Sequence, residues 1–162
     1  MRRGPGAAAA LATAVVAAGA VLAACGSGSP SASPASIGPA DEVTVAQLGS
    51  LGTVLVDGQG YTLYAYAPDN HSGTSHCTSI CPVLWPPLTL AAGTTAPVAG
   101  PGIDRSLLGT TTRPGGAVQV TYGGWPLYRW TGDARPGAHT GQGLYNAGGY
   151  WYVVRPDGSV ER

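Results

Sequence analysis

Phenylalanine and lysine are both absent from this chain, and charge of either sign is sparse, at 10% of residues. Beyond residue 24, six arginines face eight carboxylates, so the remainder is slightly acidic. A nucleic-acid interface needs a basic patch to neutralise phosphates, and a lipid-binding polybasic segment needs clustered cations. The sequence offers neither. It also lacks a Gly-x-Ser-x-Gly nucleophile elbow and any phosphate-binding or dinucleotide glycine motif. The histidines, His71, His76 and His139, all sit in Gly/Ser/Thr-rich stretches, where an exposed ring is the ordinary outcome. No catalytic class is indicated, and no cofactor. Without phenylalanine, the 8 tyrosines and 4 tryptophans must supply every aromatic contact of a core.

What is present begins with Met1-Arg2-Arg3, followed by an apolar run from Ala7 that closes on Leu22-Ala23-Ala24-Cys25. A short cationic start, a short apolar stretch and small residues at the end make a secretory signal. A cysteine directly after Leu-Ala-Ala makes it resemble a bacterial lipoprotein signal. That resemblance implies cleavage of residues 1–24, attachment of diacylglycerol to the Cys25 thiol, and acylation of the new N-terminus with a chain such as palmitate. Two acyl chains hold durably, since each buried methylene contributes about 0.8 kcal/mol and one chain alone holds only marginally. The competing reading is an anchor helix that stays. Ala7 to Ala24 is 18 residues, mostly small, which is marginal against the roughly 20 mainly apolar residues that a span requires.

Residues 25–40 read as a lipidated cysteine followed by Gly, Ser, Pro and Ala, with almost nothing to bury. Such a segment behaves as a tether reaching about 20 Å. Residues 41–162 are then expected to form one β domain.

That domain looks duplicated. Tyr61-Thr62-Leu63-Tyr64-Ala65-Tyr66-Ala67-Pro68-Asp69 and Trp125-Pro126-Leu127-Tyr128-Arg129-Trp130-Thr131-Gly132-Asp133 share aromatic-x-Leu-Tyr-x-aromatic-x-x-Asp at an offset of 64. A tryptophan follows each copy, Trp85 and Trp151. Repeat 1 spans about 51–90 and repeat 2 about 115–158, one supersecondary unit used twice. β-branched runs at 43–45 and 53–56, and period-two alternation at 61–66 and 117–122, read as strands. Gly123-Gly124 reads as a hairpin turn, and 150–154 as a further strand. The only helix candidate is a turn or two near Ile103 to Leu108. The expected fold is all-β: about eight short antiparallel strands in a sandwich or barrel with pseudo-twofold symmetry.

The paired motifs Tyr64, Tyr66, Asp69 and Tyr128, Trp130, Asp133, with Cys77-x-x-x-Cys81-x-x-x-Trp85-Pro86-Pro87, resemble predicted bacterial lipoproteins labelled as a secreted repeat of unknown function. The stretch 119–128 and the pairing of Gly141-Gln142-Gly143 with Trp151-Tyr152-Val153-Val154 fit the same family. The resemblance covers roughly Leu51 to Gly158. It implies location and repeat architecture and brings no activity.

Three constellations could carry chemistry. Cys77 and Cys81 read as a disulfide in an oxidising compartment. His71, His76, Cys77 and Cys81 are the alternative, a tetrahedral metal set. Asp69 and Asp133 are either turn residues whose carboxylates accept backbone N–H groups or a paired carboxylate site. The aromatics are mostly core, with Tyr64, Tyr66, Tyr128 and Trp130 the candidates for outward-facing rings. The expected role is a non-enzymatic envelope module on the outer face of the cytoplasmic membrane. Its partners would be the membrane, through Cys25, and a cell-wall polymer or envelope protein, with no nucleic acid. A metal or redox protein, and last a hydrolase, are the rivals.

Overall fold

The computed structural model describes residues 38–162. The signal segment, Cys25 and the tether up to residue 37 lie outside the described residues.

Strand β1 (Glu42–Gln47) and β2 (Thr53–Asp57) form an antiparallel hairpin, Val45 opposite Leu55. β3 (Tyr64–Tyr66) follows, then a one-turn helix α1 (Cys81–Leu84), and β4 (Val98–Ala99), which adds to β1 in parallel. In the second half, β5 (Leu108–Thr112) and β6 (Val118–Tyr122) repeat the hairpin, Thr110 opposite Val120. β7 (Trp125–Pro126) pairs with β6. β8 (Tyr145–Asn146) and β9 (Gly149–Val153) close the chain. Three open three-stranded sheets result, ordered β2-β1-β4, β5-β6-β7 and β3-β9-β8. The fold is all-β, as expected. Nine strands stand where about eight were anticipated, one pair is parallel, and the sheets do not close into a barrel among the described residues.

The turn between β6 and β7 shows why glycine is needed there. Gly123 and Gly124 both have positive φ, 55° and 82°. A two-residue turn with that backbone matches the twist of the flanking strands, and side chains resist it. The helix candidate near Ile103 is a short 3-10 turn, Arg105–Leu107, capped by the Asp104 carboxylate accepting from the Ser106 N–H.

The two repeats are joined by exchange. In the first half the Leu63 N–H donates to Leu55 O (3.0 Å), Leu55 N–H to Val154 O (2.8 Å), and Val154 N–H to Leu63 O (3.3 Å). In the second half Leu127 N–H donates to Val120 O (3.0 Å), Val120 N–H to Leu88 O (2.8 Å), and Leu88 N–H to Leu127 O (2.9 Å). The closing segment of each repeat therefore completes the sheet of the other. Tyr64 and Tyr128 exchange both of their backbone bonds, at 2.9 and 3.0 Å, so the pseudo-twofold axis runs between them.

The packing around these strands corrects one expectation. Thr62 through Tyr66 are all buried, and so is Tyr128; only Trp130 keeps partial exposure. Alternation does place odd and even residues on opposite faces, but both faces are covered. Leu63 and Ala65 enter one core cluster with Val43, Leu55, Leu88 and Val120. Tyr64 and Tyr66 enter a second with Trp85, Tyr128, Trp151 and the two cysteines.

Candidate functional site

The motif residues meet at the junction of the repeats. The Tyr64 hydroxyl donates to Oδ2 of Asp133, and the Tyr128 hydroxyl donates to Oδ2 of Asp69, both at 2.7 Å. The other carboxylate oxygens close their own loops. Oδ1 of Asp69 accepts the His76 backbone N–H at 2.6 Å, and Oδ1 of Asp133 accepts that of Thr140 at 2.8 Å. His76 and Thr140 sit at the same offset as the motifs, so each Asp clasps the loop seven residues ahead and the tyrosine of the other repeat. A turn carboxylate accepts backbone N–H groups two residues on; these reach further and tie the halves together.

Burial and the adjacent carboxylate push both phenols well above the ordinary tyrosine value. For Tyr64, burial is the larger cause and Asp133 adds to it. For Tyr128, burial leads and the charge of Asp69 follows. Burial likewise raises the Asp69 carboxyl, opposed by its hydrogen bonds to His76 and Tyr128.

Trp85 and Trp151 stack face to face, centroids 3.8 Å apart and planes 1° from parallel. Asn146 serves both: its side-chain oxygen accepts from Trp85 Nε1 (3.1 Å) and its carbonyl from Trp151 Nε1 (3.0 Å). Nothing in the sequence singled out Asn146, because its role depends on Trp85, 61 residues away, being brought onto Trp151.

Cys77 and Cys81 are joined in a disulfide, and both are buried. The thiols of the proposed metal set are thereby used. His71 instead lies on the Trp125 ring (4.0 Å between centroids) with Nδ1 3.0 Å from Gly123 O, and His76 Nδ1 lies 3.4 Å from Asp69 Oδ1. Among the described residues no group of three or more His, Cys, Asp or Glu is placed to hold a metal. Arg113, also missed, clamps the disulfide loop: Nη1 donates to Ser75 Oγ and Gln119 Oε1, and Nη2 to Cys77 O, each at 2.6 Å.

A cavity of about 500 Å³ lies against β1, β2 and the turn at Gly58. Its titratable groups are Glu42 and Asp57, and Asp57 is engaged by Arg129 Nε at 2.5 Å. No catalytic set converges there.

The sequence matches the secreted repeat family twice, over residues 46–89 and again over 109–155. The chain belongs to this family, described as a secreted repeat of unknown function. No curated protein and no solved structure matches the chain. The two matched segments of the secreted repeat take in β2 and β6 with the motif that follows each, and membership places the protein outside the cytoplasm. The motif shared by the two halves of this chain is a junction device. The Tyr and Asp of each copy are spent on each other across the repeat boundary.

The aromatic residues that do reach the surface lie elsewhere. β9 alternates strictly: Trp151 and Val153 point inward, while Tyr150 is exposed and Tyr152 half-buried. Tyr145 on β8 stands opposite Tyr150, with ring centroids 5.0 Å apart, and Tyr152 lies 6.0 Å beyond Tyr150.

Proposed function

We propose that the protein is a lipid-anchored envelope module, fixed to the membrane through Cys25, that binds a cell-wall polymer through the tyrosine surface of its β8–β9 hairpin. The observation that carries this reading is the row Tyr145, Tyr150 and Tyr152, three rings on one outward face of an otherwise sparsely charged domain. Tyrosine joins an apolar face to a polar tip, which suits a polyhydroxylated chain such as a glycan. The rows are rigid because Trp151 and Val153 anchor the same strand in the core. The role is binding and support, with no reaction assigned.

Co-sedimentation with purified insoluble cell wall tests it. The full chain should pellet with the wall, and Tyr145→Ala/Tyr150→Ala should remain in solution while keeping its thermal midpoint. Retention by an envelope protein in place of the wall would redirect the partner, and equal pelleting of the variant would end the reading. Metabolic labelling with a fatty acid, compared with Cys25→Ser, tests the anchor separately.

A further inference from the structure

Four aromatic rings form one column through the junction. Trp130 lies on Trp85 (4.3 Å, 28°), Trp85 on Trp151 (3.8 Å, 1°), and Trp151 on Tyr66 (4.4 Å, 24°). Tyr64 meets Trp85 edge-on at 5.4 Å, and Tyr128 meets Trp151 edge-on at 5.1 Å. Each of these two flanking phenols donates its proton to a buried carboxylate at 2.7 Å. The outer end of the column is open: partly exposed Trp130 lines a pocket of about 190 Å³ with Tyr61, Pro86 and Arg129.

Burial of apolar area asks only that rings leave water. It does not ask for parallel indoles in van der Waals contact, nor for a phenol set on a carboxylate at each side of the pair. Overlapping π faces couple electronically, so an electron vacancy on one indole can pass to the next. A phenol gives up an electron readily only when its proton has somewhere to go, because the oxidised phenol is a strong acid. Tyr64 and Tyr128 have such an acceptor. Tyr66 does not: its hydroxyl donates to the Ala147 carbonyl, a poor base.

We propose that this column is a one-electron relay, in which a vacancy created at Trp130 passes through Trp85 and Trp151 and is trapped on Tyr64 or Tyr128 as a neutral tyrosyl radical. The oxidant is a one-electron acceptor of the metal-complex or peroxyl-radical class, which takes one electron from Trp130. The trapping tyrosine supplies one electron to the indole pair. Its O–H bond breaks, and the proton forms an O–H bond on Asp133 (from Tyr64) or Asp69 (from Tyr128). A one-electron reductant of the thiol class restores the phenolate electron, and the carboxyl returns the proton. The relay would draw oxidising equivalents reaching an extracytoplasmic surface into a buried, paired site. It is independent of the wall-binding surface.

Flash photolysis of the full chain in detergent tests it, with photo-oxidised ruthenium tris-bipyridine as the one-electron oxidant. Transient absorption and electron paramagnetic resonance distinguish indole from tyrosyl radicals. The expected result is an indole radical that decays into a tyrosyl radical, slowed in deuterated water. Tyr64→Phe/Tyr128→Phe should lose the tyrosyl signal and leave a persistent indole radical, whereas Tyr66→Phe should behave as wild type. Trp130→Leu, at the periphery of the core, should lose the buried tyrosyl signal with the fold intact, so the test stands if the double Phe variant does not fold. An undiminished tyrosyl signal in Trp130→Leu or in the double variant would show direct oxidation of surface tyrosines such as Tyr145 and overturn the proposal. Absence of any tyrosyl radical in the wild type would overturn it equally.

Discussion

Tyr64 and Asp133 belong to different repeats, yet the hydroxyl of one lies 2.7 Å from the carboxylate of the other, and Tyr128 with Asp69 mirrors the arrangement at the same distance. The motif of each copy is therefore incomplete without its twin.

Removing one hydroxyl leaves a buried carboxylate oxygen without its donor. Tyr64→Phe is expected to cost about 1–3 kcal/mol, the penalty for an orphaned buried acceptor. Tyr128→Phe should cost less than Tyr64→Phe, because Ser75 Oγ also lies 2.7 Å from the Tyr128 hydroxyl beside Asp69 and can turn to the vacated oxygen. A double-mutant cycle with Asp133→Asn, read by denaturant unfolding, should show coupling for the Tyr64 pair. Strict additivity would mean that the bond contributes nothing to the junction.

Acid titration separates two kinds of carboxyl. Burial holds Asp69 above its ordinary value of 3.8, and Asp57 likewise, with Arg129 pulling the latter back. A carboxyl raised on folding binds more protons in the native state, so its contribution to stability declines as pH rises above the unfolded value. Asp104 and Asp157 are lowered by hydrogen bonds from Ser106 and Ser159 and act oppositely, losing stability as pH falls. Asp69→Asn removes one declining contribution. Its unfolding midpoint relative to wild type should therefore improve from about pH 4 toward neutrality. A relative midpoint that worsens over that interval would contradict the burial argument.

Gly141 occupies in repeat 2 the position of Cys77 in repeat 1, at the offset of 64. A Cβ there would fall 2.7 Å from Trp85 Cη2 and 3.0 Å from Tyr64 Cε1. The second loop thus leaves no room for a matching cysteine. Gly141→Ala should lower stability by about 1–3 kcal/mol through overpacking, and should disturb the near-ultraviolet circular dichroism of the Trp85–Trp151 pair. An unchanged spectrum and midpoint would show that the loop yields freely.

The Cys77–Cys81 bridge closes a short loop, so its loss by Cys77→Ser/Cys81→Ser is expected to cost about 2 kcal/mol in the chain-closure picture. Intact mass under non-reducing conditions should be two hydrogens below the reduced value. Because both sulfurs are buried, a mild reductant should act only after denaturant is added. Ready reduction of the native protein would show that the loop opens far more than its Arg113 clamp suggests.

By itself the sequence determined the class, the repeat and the local punctuation. The β-branched-rich run Thr53 to Val56 and the alternating stretch Val118 to Val120 are strands, because their patterning suits a pleated sheet. Gly123-Gly124 is a hairpin turn because few other residues tolerate both positive φ angles. Two cysteines four apart were legible as a staple. The duplicated Tyr, Asp and Trp were visible as a motif, and the signal segment as an expectation about location.

Only the tertiary structure decided what the motif does. Strand periodicity assigns a residue to a face, but whether that face meets solvent depends on what the rest of the chain lays over it. Here Leu88 and Val154 pack on the Leu63 and Ala65 face, while Trp85, Trp151 and the two cysteines cover the other, which buries Tyr64, Tyr66 and Tyr128 and leaves the exposed rings to Tyr145 and Tyr150. Asn146, Arg113 and Arg129 acquire their roles from partners tens of residues away. No local pattern encodes such pairings. They follow from the fold, because buried polar groups must find whichever partners packing brings within reach.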